Sequence, residues 1–460
     1  MRIPLSSVAV LALLGVFPAP PPAQGQDVVR AVRTARGAPT GGAWREGEVI
    51  VAFRAATEPR DVEHALRSAG AREARRSRSA SRFLVTLEPG SSVPEAVLLF
   101  SRMPEVEYAE PNGLVRRTQA ATFKPDDRFY RFQWNLEQMN AERTWGIQKG
   151  RSSVAVAVLD SGVAYEDYAD PRTRQAFRKA PDWGDTRFLP GYDFVNGDAH
   201  PNDDEYHGTH VASTIAEATN NGTGMAGLAF GCAIMPVKVL DDRGEGTFFD
   251  VAEGIDYAAD YAEGGERPVK VINLSLGSEG FSQTVKNAID RAFSGGVLVV
   301  AAAGNSGKAT IEFPANQSNV LAVGALDARK EKAFYSNTGA ELDFVAPGGN
   351  CDRDDNADGT RDCVFQQMPD PDFVEMGRHD QFCYCGLDGT SMATPHVAAA
   401  AALLFSQGFT DPGAVRSALE QTAERLGGAS ADGRNDTYGY GLVRPANALP
   451  GLGLNVGPKK

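Results

Sequence analysis

The chain has 460 residues, of which 42% are hydrophobic, which is enough for a large core and about two or three structural units. Its formal charge is −13, and the charge is spread unevenly. Residues 1–123 carry 16 Lys and Arg against 12 Asp and Glu, whereas the remainder carries 30 against 47. Such an acidic body argues against nucleic acid as a partner, because binding a phosphate backbone requires excess positive charge. It suits a soluble extracellular protein that binds cations.

The N-terminus has the pattern of a cleaved signal peptide, predicted over residues 1–25. Arg2 is followed by an apolar run at residues 8–17, and small and Pro-rich residues come next. The run is shorter than the roughly 20 residues that cross a bilayer, so we expect secretion rather than a membrane anchor. Residues 26–46 show little apolar periodicity and are predicted to be a flexible linker.

Residues 47–118 are predicted to form a small α+β domain. Apolar alternation and helical apolar spacing predict the order β-α-β-α-β, with strands at 48–53, 83–87 and 106–110 and helices at 58–69 and 93–102. Five elements in about 70 residues make a domain compact enough to fold around a partner.

Residues 119–450 are predicted to form an α/β domain. Apolar strand-like runs, such as 154–159, 271–274 and 297–301, alternate with helix-like segments. Continuous apolar strands separated by helices indicate a parallel sheet covered by helices on both faces. An acidic, cysteine-containing insert is expected at 350–385, and a short tail at 451–460.

Three polar residues of this domain are candidates for acyl transfer, which needs a nucleophile, a base and an acid that orients the base. Asp160 ends the first apolar strand, and sites in parallel sheets gather at the carboxyl ends of strands. His207 stands near a helix start, and Ser391 precedes an apolar helix whose positive end would lie beside it. Taken singly, Asp160 could be a cap or turn residue, and His207 could bind a metal together with His210.

The three surrounding segments, Val158–Gly162, His207–Ser213 and Gly389–Ala398, resemble the signatures of the subtilisin-like serine proteases, or subtilases. The resemblance implies that Asp160 orients and stabilises, that His207 is the general base and then the acid, and that Ser391 is the nucleophile. The order Asp, His, Ser excludes an esterase of the α/β-hydrolase fold, which needs the order Ser, acid, His.

Further segments extend the resemblance. Residues 301–307 look like the subtilase segment whose Asn side chain donates to the oxyanion, which gives that role to Asn305. His210 and His396 resemble structural family positions, so neither is expected to be catalytic or to bind a metal.

The substrate site is also implied by the resemblance. Residues 271–277 look like the strand that pairs with extended substrate, and Glu312 lies in a segment similar to the base of the specificity pocket. A carboxylate there predicts a preference for Lys or Arg before the scissile bond, although Glu312 could also point to solvent. The implied substrate-binding residues are Ser275, Leu276, Gly277, Ala303, Gly304 and Glu312.

The small domain is similar to a subtilase propeptide, which is a folding aid and an inhibitor. The resemblance therefore implies a zymogen with peptide substrates and its own propeptide as partners, cut by self-processing within residues 116–124. A competing hypothesis is a catalytically silent subtilase-like binding domain that works through calcium. The presence of Asp160, His207, Ser391 and Asn305 together argues against it.

Two segments are candidates for structural Ca²⁺. One matches the start of an Asp-x-Asn-x-Asp-Gly loop, but Phe365 stands where an EF-hand has its bidentate Glu, and a solvated acidic loop is the alternative. The other, residues 220–225, resembles a family calcium loop. The candidate ligands are Asp352, Asp354, Asn356, Asp358 and Asp362 in the insert, and Asp127, Asn221 and Thr223 at the second site.

The five cysteines predict disulfide pairing with one thiol left over, as expected for an exported protein. Cys232 lies in an apolar stretch and is the candidate for the buried free thiol. A bond between Cys351 and Cys363 is expected to close the acidic loop, while pairing with Cys383 or Cys385 stays open.

Overall fold

The computed structural model describes residues 44–78, 81–113, 122–428 and 433–449. The chain divides into two compact units, Met1–Thr118 and Gln119–Lys460. The predicted signal peptide, residues 26–43 of the predicted linker, residues 116–121 of the predicted cleavage segment and the tail lie outside the described residues.

The first unit is a four-stranded antiparallel sheet with two helices, and its strand order is β2-β3-β1-β4. Alternate residues of β1, Val49, Val51 and Phe53, point into its core, where burial of each side chain contributes about 1.5–3 kcal/mol. The elements are β1 (Trp44–Phe53), α1 (Pro59–Ser68), β2 (Ala71–Arg76), β3 (Arg82–Leu87), α2 (Val93–Ser101) and β4 (Val106–Gly113).

The structure corrects two predictions for this unit. Residues 44–46, assigned to the linker, belong to β1, and strand β2 was not predicted. Strand β2 has the sequence Ala-Arg-Glu-Ala-Arg-Arg and is almost wholly exposed at the sheet edge, so it has no apolar alternation from which a strand could be predicted.

The second unit is built on a seven-stranded parallel sheet of order β13-β12-β11-β10-β5-β9-β8, as predicted for an α/β domain. Its strands are β5 (Ala155–Asp160), β8 (Tyr192–Asp193), β9 (Ala233–Lys238), β10 (Val269–Leu274), β11 (Leu298–Ala302), β12 (Val320–Leu326) and β13 (Phe344–Pro347). Strands β5, β9, β11 and β12 are buried along their whole length, because helices cover both faces of the sheet.

Helices α5 and α9 pack on each other and on one face, and α6 and α7 pack together on the other face. Helix α5 begins at His207 and α9 begins at Thr390, which agrees with the helix starts predicted near His207 and Ser391. The helices are α3 (Trp134–Gln138), α4 (Ala141–Trp145), α5 (His207–Ala216), α6 (Phe248–Asp260), α7 (Gln283–Ser294), α8 (Pro371–Val374), α9 (Thr390–Gln407), α10 (Pro412–Thr422) and α11 (Pro445–Ala448).

Shorter elements complete this unit. The predicted insert contains a hairpin of β14 (Val364–Pro369) and β15 (Phe382–Leu387), and a two-stranded ribbon joins β6 (Tyr168–Ala169) to β7 (Ala176–Phe177). A short 3₁₀ helix covers Tyr130–Phe132. In the described part of the chain, no helix is long and apolar enough to cross a membrane.

The disulfide and the free thiol that the sequence predicted are both present, together with a second disulfide. Cys351 is bonded to Cys363, and Cys383 to Cys385, which resolves the pairing that the sequence left open. Cys232 is a buried free thiol that contacts the Ser406 hydroxyl.

Candidate active site

The candidate catalytic residues lie at the point in the sheet where the order of successive strands reverses. After β5 the chain forms β8 and β9 on one side of it, and then β10 to β13 on the other. A crevice forms at such a switch point, outside the carboxyl ends of the central strands. Here a cleft of about 940 Å³ opens beside the ends of β5 and β10, and its lining includes His207, Asn305 and Ser391.

Asp160 and His207 form a direct pair. Asp160 is fully buried at the end of β5, and its Oδ1 lies 2.7 Å from His207 Nδ1. Burial lowers the pKa of His207, but the charge and hydrogen bond of Asp160, with Glu205 and Asp203 adding to them, outweigh burial and raise it above its usual 6.5. The pair therefore fixes which ring nitrogen faces Asp160 and leaves Nε2 for the cleft.

Ser391 lies in the first turn of α9, where the positive end of the helix dipole favours negative charge. Its hydroxyl donates to the Ser275 carbonyl at 3.1 Å rather than to His207, and the Ser275 hydroxyl donates back to the Ser391 carbonyl at 2.8 Å. These reciprocal bonds fix the start of α9 to the end of β10. Because Ser391 and His207 line the same cleft, catalysis requires the hydroxyl to leave the Ser275 carbonyl and turn toward His207.

Asn305 is held with its amide nitrogen toward the cleft. Its Oδ1 accepts hydrogen bonds from the backbone N–H and the hydroxyl of Thr390, each at 2.8 Å. A backbone N–H can only donate, so the amide oxygen must face Thr390, and Nδ2 faces away from it. Nδ2 is therefore left as a donor in the cleft that Ser391 also lines, and an oxyanion site needs such a donor.

The predicted substrate-binding residues are divided between two places. Ser275, Leu276 and Gly277 line the cleft directly. Ala303, Gly304 and Glu312 do not line it in this structure. Glu312 lies behind the part of the cleft wall that Gly277 forms, in a neighbouring cavity of about 240 Å³.

Glycine makes this arrangement possible. A Cβ on Gly277 would lie 2.8 Å from Glu312 Oε2, and a Cβ on Gly304 would lie 2.5 Å from Glu312 Cδ. The carboxylate of Glu312 thus sits between the two predicted walls of the specificity pocket, and it accepts a hydrogen bond from Asn337 Nδ2 at 3.3 Å. The absence of side chains at Gly277 and Gly304 leaves the carboxylate close to the cleft.

His210 and His396 are buried away from the cleft. His210 Nε2 lies 2.9 Å from the Val364 carbonyl, and His396 contacts the Met392 carbonyl and Asn135. Burial lowers the pKa of His210 to about 3 and that of His396 to about 4, so both rings are neutral. These contacts join α5 and α9 to neighbouring elements, as expected of histidines with a structural role.

The acidic loop of the insert is organised mainly by bonds within itself. Asp354 accepts from the backbone N–H groups of Asp358 and Gly359, and Asn356 Nδ2 donates to Asp358. The remaining predicted ligands differ in burial: Asp352 is exposed, whereas Asp362 is buried and one of its oxygens has no hydrogen-bond partner. Burial raises the pKa of Asp362.

At the second predicted calcium site, the structure brings Asp127 and Asn221 together. Asp127 accepts from the backbone N–H of Asn220 at 2.7 Å, and Asn221 Nδ2 donates to Asp182 at 2.6 Å. Thr223 is exposed and donates its N–H to Asn221 Oδ1. Across the described ranges, no three or more His, Cys, Asp or Glu side chains gather closely enough to hold a metal ion.

Three carboxylates near these sites were missed at the level of sequence. Asp182 contacts the 220–225 loop, Glu217 is fully buried beside Asp182 with a pKa raised by burial and by the charge of Asp182, and Glu205 lines the cleft beside His207. None belongs to a motif, and only Glu205 gave a signal, because it lies two residues before His207.

Comparison with known proteins agrees with this geometry. The Subtilase family matches residues 151–441, and the Fervidolysin N-terminal prodomain matches residues 30–112. The chain belongs to the subtilase family. The resemblance proposed from its motifs is thereby confirmed, and the region matched by the prodomain falls within the small first unit.

Individual subtilases match much of the chain. The thermophilic serine proteinase of Bacillus sp. strain AK1 is 37% identical over 410 residues, covering 89% of this chain and 88% of that protein. Thermitase of Thermoactinomyces vulgaris is 35% identical, covering 69% of this chain and 98% of thermitase. A solved protease from Pseudoalteromonas arctica is 31% identical, with a TM-score of 0.58 over 71% of this chain and 98% of its own. The protein is thus a subtilisin-type serine protease with a prodomain.

Proposed function

We propose that this subtilase is a secreted serine endopeptidase that forms an acyl-enzyme at Ser391 and is made as an autoprocessed zymogen. The observation that carries the proposal is the 2.7 Å contact between Asp160 and His207 in the cleft that Ser391 and Asn305 also line. These residues come from separate parts of the chain, and together they supply the base, its orienting acid, the nucleophile and an oxyanion donor.

The steps follow from these positions. The Ser391 hydroxyl attacks the peptide carbonyl while His207 Nε2 takes its proton, and Asp160 stabilises the imidazolium without becoming protonated. Asn305 Nδ2 donates to the oxyanion as it develops. His207 then protonates the leaving amine, and the same base activates the water that hydrolyses the acyl-enzyme.

Secretion and processing are supported by the arrangement of the chain. Residues 1–25 would direct export and residues 26–43 would link them to the inhibitor domain at 44–118, with the catalytic domain at 119–450 and a tail at 451–460. The inhibitor domain would be released by a cut within residues 116–124. The prodomain match ends at residue 112, and the boundary between the two units, after Thr118, falls inside that segment.

The function is tested with purified secreted protein on casein. We expect hydrolysis that a serine-directed inhibitor abolishes and that the Ser391→Ala variant lacks. Hydrolysis that survives both the inhibitor and the substitution would reject the proposal.

For specificity, we propose that Glu312 favours Lys or Arg before the scissile bond. Its support is the carboxylate position between Gly277 and Gly304, where a cationic side chain would meet it away from bulk water. Cleavage-site profiling on a peptide library should give basic residues at that position, and Glu312→Gln should remove the preference. Equal rates for Lys, Leu and Phe peptides would reject the assignment.

Structural Ca²⁺ is proposed at two places, because oxygen donors are what this ion prefers. At the 220–225 loop, Asp127 and Asn221 are adjacent, and Asp182 adds a further carboxyl group nearby. In the insert, Asp354, Asn356 and Asp358 share one turn. With fewer than three acidic side chains gathered at either place, backbone carbonyls and amide oxygens would complete each site.

A further inference from the structure

A buried lysine lies next to the catalytic pair. Lys238 is the last residue of β9, and its side chain is only 1% exposed. Lysine is almost never fully buried unless its charge has a partner. Its Nζ donates to Asp204 Oδ1 at 2.6 Å, to the Ser161 carbonyl at 2.7 Å and to the Leu240 carbonyl at 2.7 Å. All three donors of the ammonium group are thus used, which fixes its position.

The three acceptors belong to the segments that carry the catalytic acid and base. Ser161 directly follows Asp160 at the end of β5. Asp204 lies three residues before His207, which begins α5. Leu240 is also tied to β5, because its backbone N–H donates to the Asp160 carbonyl at 3.1 Å. One ammonium group therefore joins the end of β5 to the loop that leads into α5.

Asp203 makes a second link between the same two segments. It is fully buried, and it accepts hydrogen bonds from the Ser161 hydroxyl and from the Thr209 backbone N–H, each at 2.9 Å. Burial raises the pKa of the Asp203 and Asp204 carboxyl groups, and the charge of Lys238 opposes that rise. Lys238 therefore favours the ionised carboxylates, which are the stronger acceptors for these bonds.

The charge of Lys238 also reaches groups on three other elements. It favours the ionised form of Asp193 on β8 and of Asp241 in the turn after β9, and the neutral form of His379 in the insert. Within the described ranges, however, Asp204 is the only carboxylate that lies within 4.0 Å of the Lys238 nitrogen. The fixed ionic contact is therefore the one with the loop before α5.

Lys238 acts on the reaction only through other residues. Neither Lys238 nor Asp204 belongs to the described residues that line the cleft. The 2.7 Å contact between Asp160 and His207 depends on the separation between the end of β5 and the start of α5, which the ammonium group helps to set. A misplacement of about 1 Å at such a pair can cost about 10²-fold in rate.

We infer that Lys238 is a positioning residue for the catalytic pair, because its ammonium group holds the end of β5 and the loop before His207 at the separation that the contact between Asp160 and His207 needs. The inference rests on the proposed endopeptidase function and deepens it by adding a buried charge that the reaction depends on without touching. All three hydrogen bonds of Nζ contribute, and the ion pair with Asp204 is one of them.

The test replaces Lys238 with Met, which fills a similar volume without the three donors. We expect kcat on one peptide to fall by about 10²-fold with KM within about twofold, because the residues that line the cleft are unchanged. The low-field proton resonance of His207 Nδ1–H, which reports its hydrogen bond to Asp160, should shift or weaken. Lys238→Arg keeps the charge and the donors and should recover most of the lost kcat.

Lys286→Met is the matched control, because it breaks a lysine–aspartate ion pair on α7 that is far more exposed. It should change kcat by less than about twofold. Wild-type kcat and an unchanged His207 resonance in Lys238→Met would overturn the inference. So would a Lys238→Arg variant that folds and binds peptide but is as slow as Lys238→Met.

A double variant separates positioning from stability. Lys238→Met leaves the Asp204 carboxylate buried without its cation, which lowers stability. Adding Asp204→Asn removes that charge, so the double variant should recover Tm, while kcat stays low because the Ser161 and Leu240 carbonyls still lack their donor. If kcat recovers together with Tm, Lys238 only stabilises the fold, and the inference is overturned.

Asp204→Asn alone decides the matter if Lys238→Met does not fold. It keeps a neutral acceptor for Nζ, so we expect a smaller fall in kcat of about tenfold with KM unchanged, since a charge-assisted bond is replaced by a weaker one. An unchanged kcat in this variant would overturn the positioning role of the ion pair.

Failure of the inference can be told from failure of the proposed function. Peptides that are cut by the wild type, spared by Ser391→Ala and cut equally well by Lys238→Met would leave the endopeptidase standing and overturn only this inference. No cleavage of any peptide or of casein by the wild type would overturn both.

Discussion

The active-site cleft and the acidic insert show two ways in which a fold positions polar side chains. In the cleft, bonds join residues that are far apart in sequence: 47 positions separate Asp160 from His207, and 116 separate Ser275 from Ser391. In the loop around Asp354, most hydrogen bonds join residues two to five positions apart. The cleft geometry therefore depends on the core of the whole unit, whereas the loop geometry depends on local turns and one disulfide.

This contrast predicts that substitutions in the cleft should change catalysis by orders of magnitude, while substitutions in the insert should change mainly local stability.

Ser391→Ala should abolish both proteolysis and propeptide removal, because one nucleophile makes both cuts if maturation occurs in cis. Intact-mass measurement of the purified variant should show a precursor that is uncut within residues 116–124. A variant that is processed normally would contradict self-cleavage.

Asn305→Ala should lower kcat by about 10²–10³-fold with little change in KM. This range is the one known for removing the oxyanion donor of subtilisin, about 10²–10³-fold. The reason is that Nδ2 contacts charge that develops only in the transition state. Steady-state kinetics on one peptide measures it, with Asn316→Ala as a control outside the cleft lining. Equal losses from both variants would indicate damage to folding instead.

The pH profile should reflect the charge around His207. Its pKa is raised because Asp160, together with Glu205 and Asp203, outweighs the effect of burial, and only the neutral ring can act as a base. For an uncharged peptide, kcat/KM should therefore rise with pH along an acid limb whose midpoint lies above 6.5. Glu205→Gln removes a negative charge and should move the midpoint to lower pH. A midpoint at or below 6.5 in the wild type would contradict this electrostatic account.

The smallest effect is expected in the insert. Asp354→Asn combined with Asp358→Asn should lower the calcium stoichiometry and reduce, but not remove, the increase in Tm that calcium produces, because these substitutions leave the site proposed at the 220–225 loop intact. Calorimetry on enzyme inactivated with a serine-directed inhibitor avoids self-digestion, and Asp372→Asn is a matched exposed control in the same insert. An unchanged stoichiometry and Tm increase would make the loop a solvated acidic turn.

Burial also decides which elements could be predicted from the sequence. The apolar run that ends at Asp160 predicted a buried strand of the parallel sheet, and the apolar run after Ser391 predicted α9. Both signals are strong because an element buried on all sides needs nearly continuous apolar residues. Strand β2 has no such apolar pattern, because exposed charged residues are compatible with an edge strand and with a loop equally well.

Side-chain partners across the fold were harder to predict. The sequence placed Glu312 at the base of the pocket only through a resemblance, and the structure puts its carboxylate behind Gly277 and Gly304. Glu205 was missed because its orientation depends on how the loop before α5 meets the end of β5, which no local pattern encodes.

The most direct test of the central claim is active-site labelling of the mature enzyme with a serine-directed sulfonyl fluoride. Intact mass should show one adduct per chain, peptide mapping should place it on Ser391, and loss of activity should parallel labelling. His207→Ala should label far more slowly, because the base that activates the hydroxyl is gone. Full inactivation with the adduct on another residue, or full activity with Ser391 modified, would contradict the assignment of Ser391 as the nucleophile.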